Sequence, residues 1–455
     1  MKPVFPKKLV VLLALVFLTR LVFSLISLKI NGPDIFISPD TSSYAVPAAS
    51  MLHGAFLSDG AFCIKGGPEI MRTPGYPVFL IPAIAWGHII ILGFLENLLL
   101  TVASAWLIWI IVTELASDRA AFWAVLLFCF EPMGILQTEK ILPETLFTTL
   151  LLLFVWLFLN FLRSSDYRKL GLSIAVLSCA TYARPVPLYL GLWLIPVLLL
   201  FPRAFSWKQR VVHAVLFPSL FALTLLPWVL RNTRAAGYNG FTTSAVWNYF
   251  LSAGEVKAKL EHRGLYEVLG EGDYVEAENF LRSHPDKRGW SQGEIAQLWT
   301  NEAKKTIRSH PFLYAGLHAK SCAAVMFNPG VSELLGDLGL YPRAESRISS
   351  MLTQGYFQAT LWLVREYPIT AIAIPLMLGL TLLYYLFALI ALRHIPLSAA
   401  FFLVAVCTYF ILASGIPAAQ ARYRAPIMPL VCVGAGIGIA SRTKSRLAVA
   451  ASQPT

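Results

Sequence analysis

The chain reads as an all-α polytopic membrane protein, and three observations carry that reading. Hydrophobic residues make up 57% of its 455 positions and charged residues only 14%, where a soluble domain carries about 25% charged. Mean hydropathy is +0.64. Apolar runs recur at the length of about 20 residues that a helix needs to cross a bilayer. Such runs predict about ten spans, at residues 8–28, 88–113, 119–136, 142–162, 169–183, 186–202, 210–229, 370–392, 396–414 and 423–441. Residues 74–87 read as a further short span or as a helix lying at the membrane surface.

The first run follows basic residues, as a signal peptide does. It is longer than the apolar region of such a peptide and has no small-residue cleavage site near Ile30-Asn31, so a retained span is expected. Orientation follows from Lys and Arg in the short loops. With the N-terminus in the cytoplasm, the inner segments hold fourteen of them and the short outer segments seven. An even number of spans then puts both termini inside a cell inner (plasma) membrane. That bias accounts for most of the net charge of +12, which suits an anionic leaflet and calls for no nucleic-acid partner.

Polarity divides the chain into an N-terminal membrane module (1–230, with a first outer loop within 29–87), an extracytoplasmic loop region (231–369), and closing helices with a basic tail (370–455). Within the long loop, residues 293–310 carry apolar residues at helical spacing, and 355–367 read as an amphipathic helix on the membrane surface. No internal repeat is visible. The six cysteines are scattered without metal-ligand spacing. A single outer Cys63–Cys322 bridge stays open. No cofactor is clearly indicated; a divalent cation stays open too.

An acidic residue just past a membrane span is a costly choice, because a carboxylate there must be solvated or paired. Asp40, in Pro39-Asp40-Thr41-Ser42-Ser43-Tyr44, is such a residue. On the predicted topology it shares the outer face with Glu69 and Arg72 of the first loop, Glu139, Lys140 and Glu144 around the fourth span, Arg184, Arg231, and Arg422 and Arg424. Carboxylates and guanidiniums at one membrane depth fit a site for an anionic, membrane-borne substrate, because arginine's planar fork matches phosphate oxygens. A carboxylate there can serve as general base towards a hydroxyl, or hold a cation. Each residue also has a plainer reading. Asp40 fits the N-cap of a helix over 41–52, Glu144 the first turn of the fourth span, and Arg184, Arg231 and Arg422 anchors snorkelling to headgroups. Arg20, inside the first span, reads as a helix–helix contact.

The order of these motifs along the chain resembles the glycosyltransferase type C (GT-C) superfamily, closest to the protein O-mannosyltransferase and lipid A aminoarabinose transferase group. The residues carrying it are Asp40, Arg72-Thr73-Pro74-Gly75-Tyr76-Pro77, Ile141-Leu142-Pro143-Glu144, Ala183-Arg184-Pro185, Pro227-Trp228 with Arg231-Asn232, and Arg422-Tyr423-Arg424-Ala425-Pro426. It spans about 1–245 and 395–440. Thr73 stands where Pro is common, and two departures stand out: Thr41 follows Asp40 where a second acidic residue is frequent, and the segment 246–369 matches nothing in the group, so that acceptor choice is expected there. The second carboxylate is then Glu144, Glu139 or Glu69.

The resemblance implies a polytopic enzyme that transfers a sugar from a polyprenyl-phosphate donor to an acceptor hydroxyl outside the membrane, with inversion. Asp40 and Glu144 would be catalytic. Arg72, Lys140, Arg184, Arg231, Arg422 and Arg424 would hold the donor phosphate, with Tyr44, Glu69, Tyr76 and Glu139 on the acceptor side. Two other classes compete. An O-antigen ligase or polymerase would lean on Arg263, His284 and His310 of the long loop. A transporter would line the midplane with charge in repeated halves.

Overall fold

The structure is a computed structural model that describes residues 6–60, 63–201, 205–270, 277–342, 356–417 and 421–451. Residue 202 of the expected sixth span, residue 355 at the head of the expected surface helix and Gln420 before the Arg422 motif lie outside them. Among the described residues every regular element is helical, and the only β pairing is an isolated bridge between Leu57 and Pro68.

Among the described residues six helices are long and apolar enough to cross a membrane: α1 (Lys7–Asn31), α4 (Ile89–Leu115), α7 (Glu144–Ser164), α11 (Trp207–Ala236), α19 (Pro368–Ala391) and α20 (Leu397–Ser414). A bent pair, α5 (Asp118–Cys129) and α6 (Pro132–Glu139), makes a seventh if counted as one span. The other three expected spans are helical but shorter or broken. They are α8 (Tyr167–Ala183), the segment 186–200, and α21 (Met428–Ala451), whose apolar part is Met428–Arg442. Segment 186–200 is a 3₁₀ turn followed by α9 (Leu190–Trp193) and α10 (Ile195–Leu200). Pro187 and Pro196 remove amide donors there, which keeps it from forming one continuous helix. Between α1 and α4 lie α2 (Ser42–Met51) and α3 (Gly75–Ala85). At 11 residues, α3 rises only about 16 Å and does not cross a bilayer alone.

Among the described residues seven α-helices follow α11 before α19: α12 (Ser244–Leu260), α13 (Leu265–Gly270), α14 (Ala277–Ser283), α15 (Gln292–Ser309), α16 (Pro311–Phe327), α17 (Val331–Asp337) and α18 (Tyr356–Glu366). The helical spacing read over 293–310 is α15, opened by a capping box between Ser291 and Glu294. Val246, Phe280, Ile295, Ala296 and Trp299 give α12, α14 and α15 a small core of their own. Cys63 and Cys322 are both free thiols, so the outer bridge is not formed. Cys63 is buried beside Ile70 and Met71, whereas Cys322 lies against Ile411.

The 58° bend between α5 and α6 has a traceable cause. Pro132 has no N–H to continue α5, so the carbonyls of Leu127 and Phe128 keep only longer 3₁₀-type bonds from the Phe130 and Glu131 amides, at 3.2 and 3.3 Å. Arg20, fully buried in α1, donates to the carbonyls of Phe128 (2.7 Å) and Cys129, while the Tyr384 hydroxyl donates to that of Leu127 at 3.1 Å. Glu131 in turn accepts the Met133 and Gly134 amides at the head of α6. Elsewhere α21 packs tightly because a Cβ on Gly436 would fall 2.5 Å from the Ala124 nitrogen, and one on Gly438 2.0 Å from the Phe387 carbonyl oxygen.

The ends of α1, α6, α8, α11 and α20, and the starts of α4, α7 and α21, gather at one end of the bundle. Replacing Arg20 by Leu should strand the buried Cys129 carbonyl, at about 1–3 kcal/mol, and leave that of Phe128 with only the long Glu131 amide bond. The expected outcome is a clearly lowered melting temperature of the purified protein in detergent, with Arg20→Lys recovering part of the loss.

Candidate active site

The first loop is tied to the head of α7 before any functional group is placed. The Ile141 amide donates to the Phe36 carbonyl at 2.9 Å, and the Thr41 hydroxyl donates to the Ile141 carbonyl at 3.1 Å. Beneath them Ile35, Phe36, Tyr44, Tyr76, Leu80, Ile141 and Leu142 form one apolar cluster. Asp40 therefore stands over a rigid floor, at the start of α2. It does not cap that helix: no side chain caps α2.

Its carboxylate is taken by two guanidiniums instead. Arg72 Nη2 donates to Oδ1 at 3.1 Å and Arg422 Nη2 to Oδ2 at 2.7 Å. Burial alone raises the Asp40 carboxyl, but Arg72 and Arg422 outweigh it and hold the group below its ordinary value. Arg72 is itself fixed on every side. Its Nε donates to the Ser43 hydroxyl at 2.8 Å, its Nη1 to the Tyr44 hydroxyl at 3.0 Å, and its guanidinium lies 4.4 Å from the Tyr44 ring centre.

A second acid–arginine pair stands nearby, Arg184 Nη1 and Glu144 Oε1 at 3.2 Å. Arg184 and Arg422 both lie over the Tyr423 ring, at 5.7 and 5.3 Å. Gly75 explains how Arg184 comes this close to the first loop. A Cβ at that position would sit 2.5 Å from the Tyr182 carbonyl carbon, so any other residue would push α3 off the end of α8.

Two cavities meet at Asp40. One, about 210 Å³, is lined by Asp40, Tyr44, Arg72, Glu144, Arg184 and Arg422, with Trp247, Asn248 and Tyr423. The other, about 540 Å³, is lined by Asp40, Gln137, Lys140, Glu333, Asp337 and Arg422 among others. Asp40, Leu142 and Arg422 belong to both walls. The smaller cavity holds three guanidiniums against two carboxylates, an excess of positive charge that fits a phosphate.

Residues 82–229, about a third of the chain, match the family model described as dolichyl-phosphate-mannose-protein mannosyltransferase. That family belongs to the GT-C glycosyltransferase superfamily, and over this third the chain is similar to it. No curated protein matches the chain. The matched stretch supplies Lys140, Glu144 and Arg184, while Asp40, Arg72 and Arg422 come from outside it and meet them at the walls of the two cavities.

The fold sorts the remaining candidate residues. Lys140 lines the larger cavity rather than the arginine one, and its ammonium bonds Glu139 (2.7 Å), Asp337 (2.9 Å) and the Ile35 carbonyl (2.7 Å). Glu139 is fully buried behind it. Arg231 lines neither cavity; it donates to the carbonyls of Glu69 and Phe56 and lies over Trp228 at 4.8 Å. Arg424 is turned away as well, buried and donating to the carbonyls of Val325 and Met326 that end α16. In the tight 3₁₀ turn Ala421–Arg424 two arginines two residues apart cannot share a direction. Tyr76 is buried against Tyr44, ring centres 5.2 Å apart. Arg263 pairs with Glu261 and Glu267, and the His284 ring stacks on Phe280 at 4.4 Å. Neither they nor His310 line these two cavities.

Glu69 is a support. Its Oε1 accepts the Met71 and Arg72 amides at 2.6 and 2.7 Å. Burial raises its carboxyl, with those amides pulling the other way. Sequence reasoning missed Glu333 and Asp337 of the larger wall, which sit in a segment without a recognisable motif. It also missed Trp247 and Asn248, just past residue 245 where the resemblance ends. Replacing Glu69 by Ala should cost about 1–3 kcal/mol of stability by freeing the Met71 and Arg72 amides and loosening Arg72. Glu69→Gln, which keeps an oxygen acceptor, should stay close to wild type in melting temperature.

Proposed function

We propose that this protein is a glycosyltransferase that moves a sugar from a polyprenyl-phosphate donor to an acceptor hydroxyl, on the extracytoplasmic face, in one displacement with inversion. The observation that carries the reading is the position of Asp40. Its carboxylate sits on the boundary of two cavities, one arginine-rich and one polar, where the nucleophile for one cavity would arrive from the other.

The donor phosphate lies against Arg72, Arg184 and Arg422 in the smaller cavity. The acceptor comes through the larger one, past Lys140, Glu333 and Asp337. Its hydroxyl oxygen attacks the anomeric carbon as the bond from that carbon to the phosphate oxygen breaks. The hydroxyl proton passes to Asp40, and the polyprenyl phosphate leaves with the bonding electrons. Positioned cations at a developing oxyanion are worth a few kcal/mol each in such sites. Glu144 keeps Arg184 aimed at the phosphate.

The clamp on Asp40 has a consequence for its basicity. Held by two guanidiniums the carboxylate is a poor base, but the donor phosphate competes for the same two groups. Donor binding therefore loosens the clamp and restores proton affinity where the acceptor arrives.

Asp40→Asn should lower transfer by about 10²–10⁴-fold in an assay with purified protein and lipid-linked sugar, with expression and membrane insertion kept. Near-normal turnover by that variant sinks the mechanism. The profile of kcat/KM against pH, which reports the free enzyme, carries a second signature. A carboxyl lowered from 3.8 stays ionised to more acid pH, so its acid limb lies below that value. Removing one counter-charge with Arg422→Gln should move the limb upward.

A further inference from the structure

We propose that Glu144, Trp247 and Asn248 form the subsite for the donor's sugar ring, and that the first turn of α12 thereby selects which monosaccharide is transferred. This deepens the donor reading above and rests on it. The smaller cavity is lined by two unlike sets of groups. Arg72, Arg184 and Arg422 supply charge for a phosphate; the same wall carries the Trp247 indole, the Asn248 carboxamide and the Glu144 carboxylate, the last beside Arg184. That second set matches a pyranose, which offers an apolar C–H face to an aromatic ring and hydroxyl groups to amides and carboxylates.

Glu144 points to a ligand most directly. The residue is 3% exposed, one oxygen faces Arg184, and Oε2 has no hydrogen-bond partner. A buried carboxylate oxygen left unpaired is unfavourable, and a sugar hydroxyl donating to it removes the penalty. Trp247 is half-buried and packs on Phe250, ring centres 5.5 Å apart at 28°, which holds the indole plane in one orientation. A sugar on that indole and a phosphate among the arginines fill a cavity of about 210 Å³, scaled to one ring rather than an oligosaccharide.

The support of α12 gives the subsite its precision. The Thr243 amide donates to the Ile70 carbonyl at 3.0 Å, and the hydroxyls of Thr242 and Ser244 both donate to the Met71 carbonyl. The next residue is Arg72. One short stretch, 69–72, thus positions both the phosphate clamp and the helix turn carrying Trp247 and Asn248. That turn lies outside the residues matched by the family model, as suits a determinant particular to this chain.

The test measures binding by full-length protein in nanodiscs, using bare undecaprenyl phosphate and undecaprenyl phosphate carrying mannose, glucose or galactose. Wild type should bind at least one glycosylated lipid tenfold or more tighter than the bare one. Trp247→Ala and Asn248→Ala should each erase most of that difference while holding the bare lipid within about twofold; Trp247→Phe should retain it. A preference that survives both alanine variants overturns the proposal, as does equal wild-type affinity for all four lipids. So does a matching fall in bare-lipid affinity, which would mark Trp247 as packing only. A wild type that binds no undecaprenyl phosphate at all would instead strike the donor reading beneath it.

Discussion

Asp40 is pinned between two arginines, and the site is organised around that contact. Arg72 lies 32 residues along the chain from it and Arg422 lies 382. Charges near a membrane-embedded bundle are stable only when paired or solvated. Closing this triad therefore fixes the first loop against the 3₁₀ turn ahead of α21, and draws the first and last parts of the chain together. The same closure divides the space above the bundle into two cavities, because the carboxylate and Arg422 stand in the wall between them. A reaction that joins a lipid-borne group to a second substrate needs such a divided space. Each substrate must be held separately, yet meet at one atom.

Much of the surrounding structure keeps the triad in place. Glu69 fixes the backbone of Arg72 through two amides, and Arg231 locks the loop behind it through the carbonyls of Glu69 and Phe56. Gly75 lets α3 touch the end of α8, so that Arg184 joins the cluster. Arg424 secures the end of α16 beneath the turn that presents Arg422. Of the arginines and lysines that the motif order assigned to phosphate, half hold the scaffold or the neighbouring cavity. A guanidinium makes a good scaffold for the reason it makes a good phosphate ligand, since five donors in a plane satisfy carbonyls as readily as oxyanions.

Farther down the bundle, Arg20 does for the α5–α6 break what Arg424 does for α16. It supplies donors to the Phe128 and Cys129 carbonyls where a helix ends in an apolar interior. The helix that follows the break, α6, ends at Glu139, beside Lys140. That places the Lys140 ammonium between Glu139 and Asp337 at the wall of the larger cavity.

Hydrophobic run length and composition determined the membrane-embedded, all-helical class, because crossing a bilayer demands about 20 apolar residues whatever the neighbours. They located the long helices and the bent pair, while the proline-rich 186–200 segment and α8 proved shorter than a span rule assumes. Apolar spacing also located α15, since amphipathic period is a local property. Motif order brought Asp40, Arg72, Glu144, Arg184 and Arg422 under suspicion together, and the structure brings these five to one cavity. It could not separate Arg422 from Arg424, nor Arg72 from Arg231. The members of each pair share a residue type and a membrane depth, and differ only in the direction their side chains take. Direction is set by a 3₁₀ turn in one case and by a loop folding over α11 in the other. Nor could it see Asp337 or Trp247, whose roles come from helices packing across sequence separations of hundreds of residues. Hydropathy and helical period are written locally and are legible along the chain; which charges face each other is decided only when the helices pack.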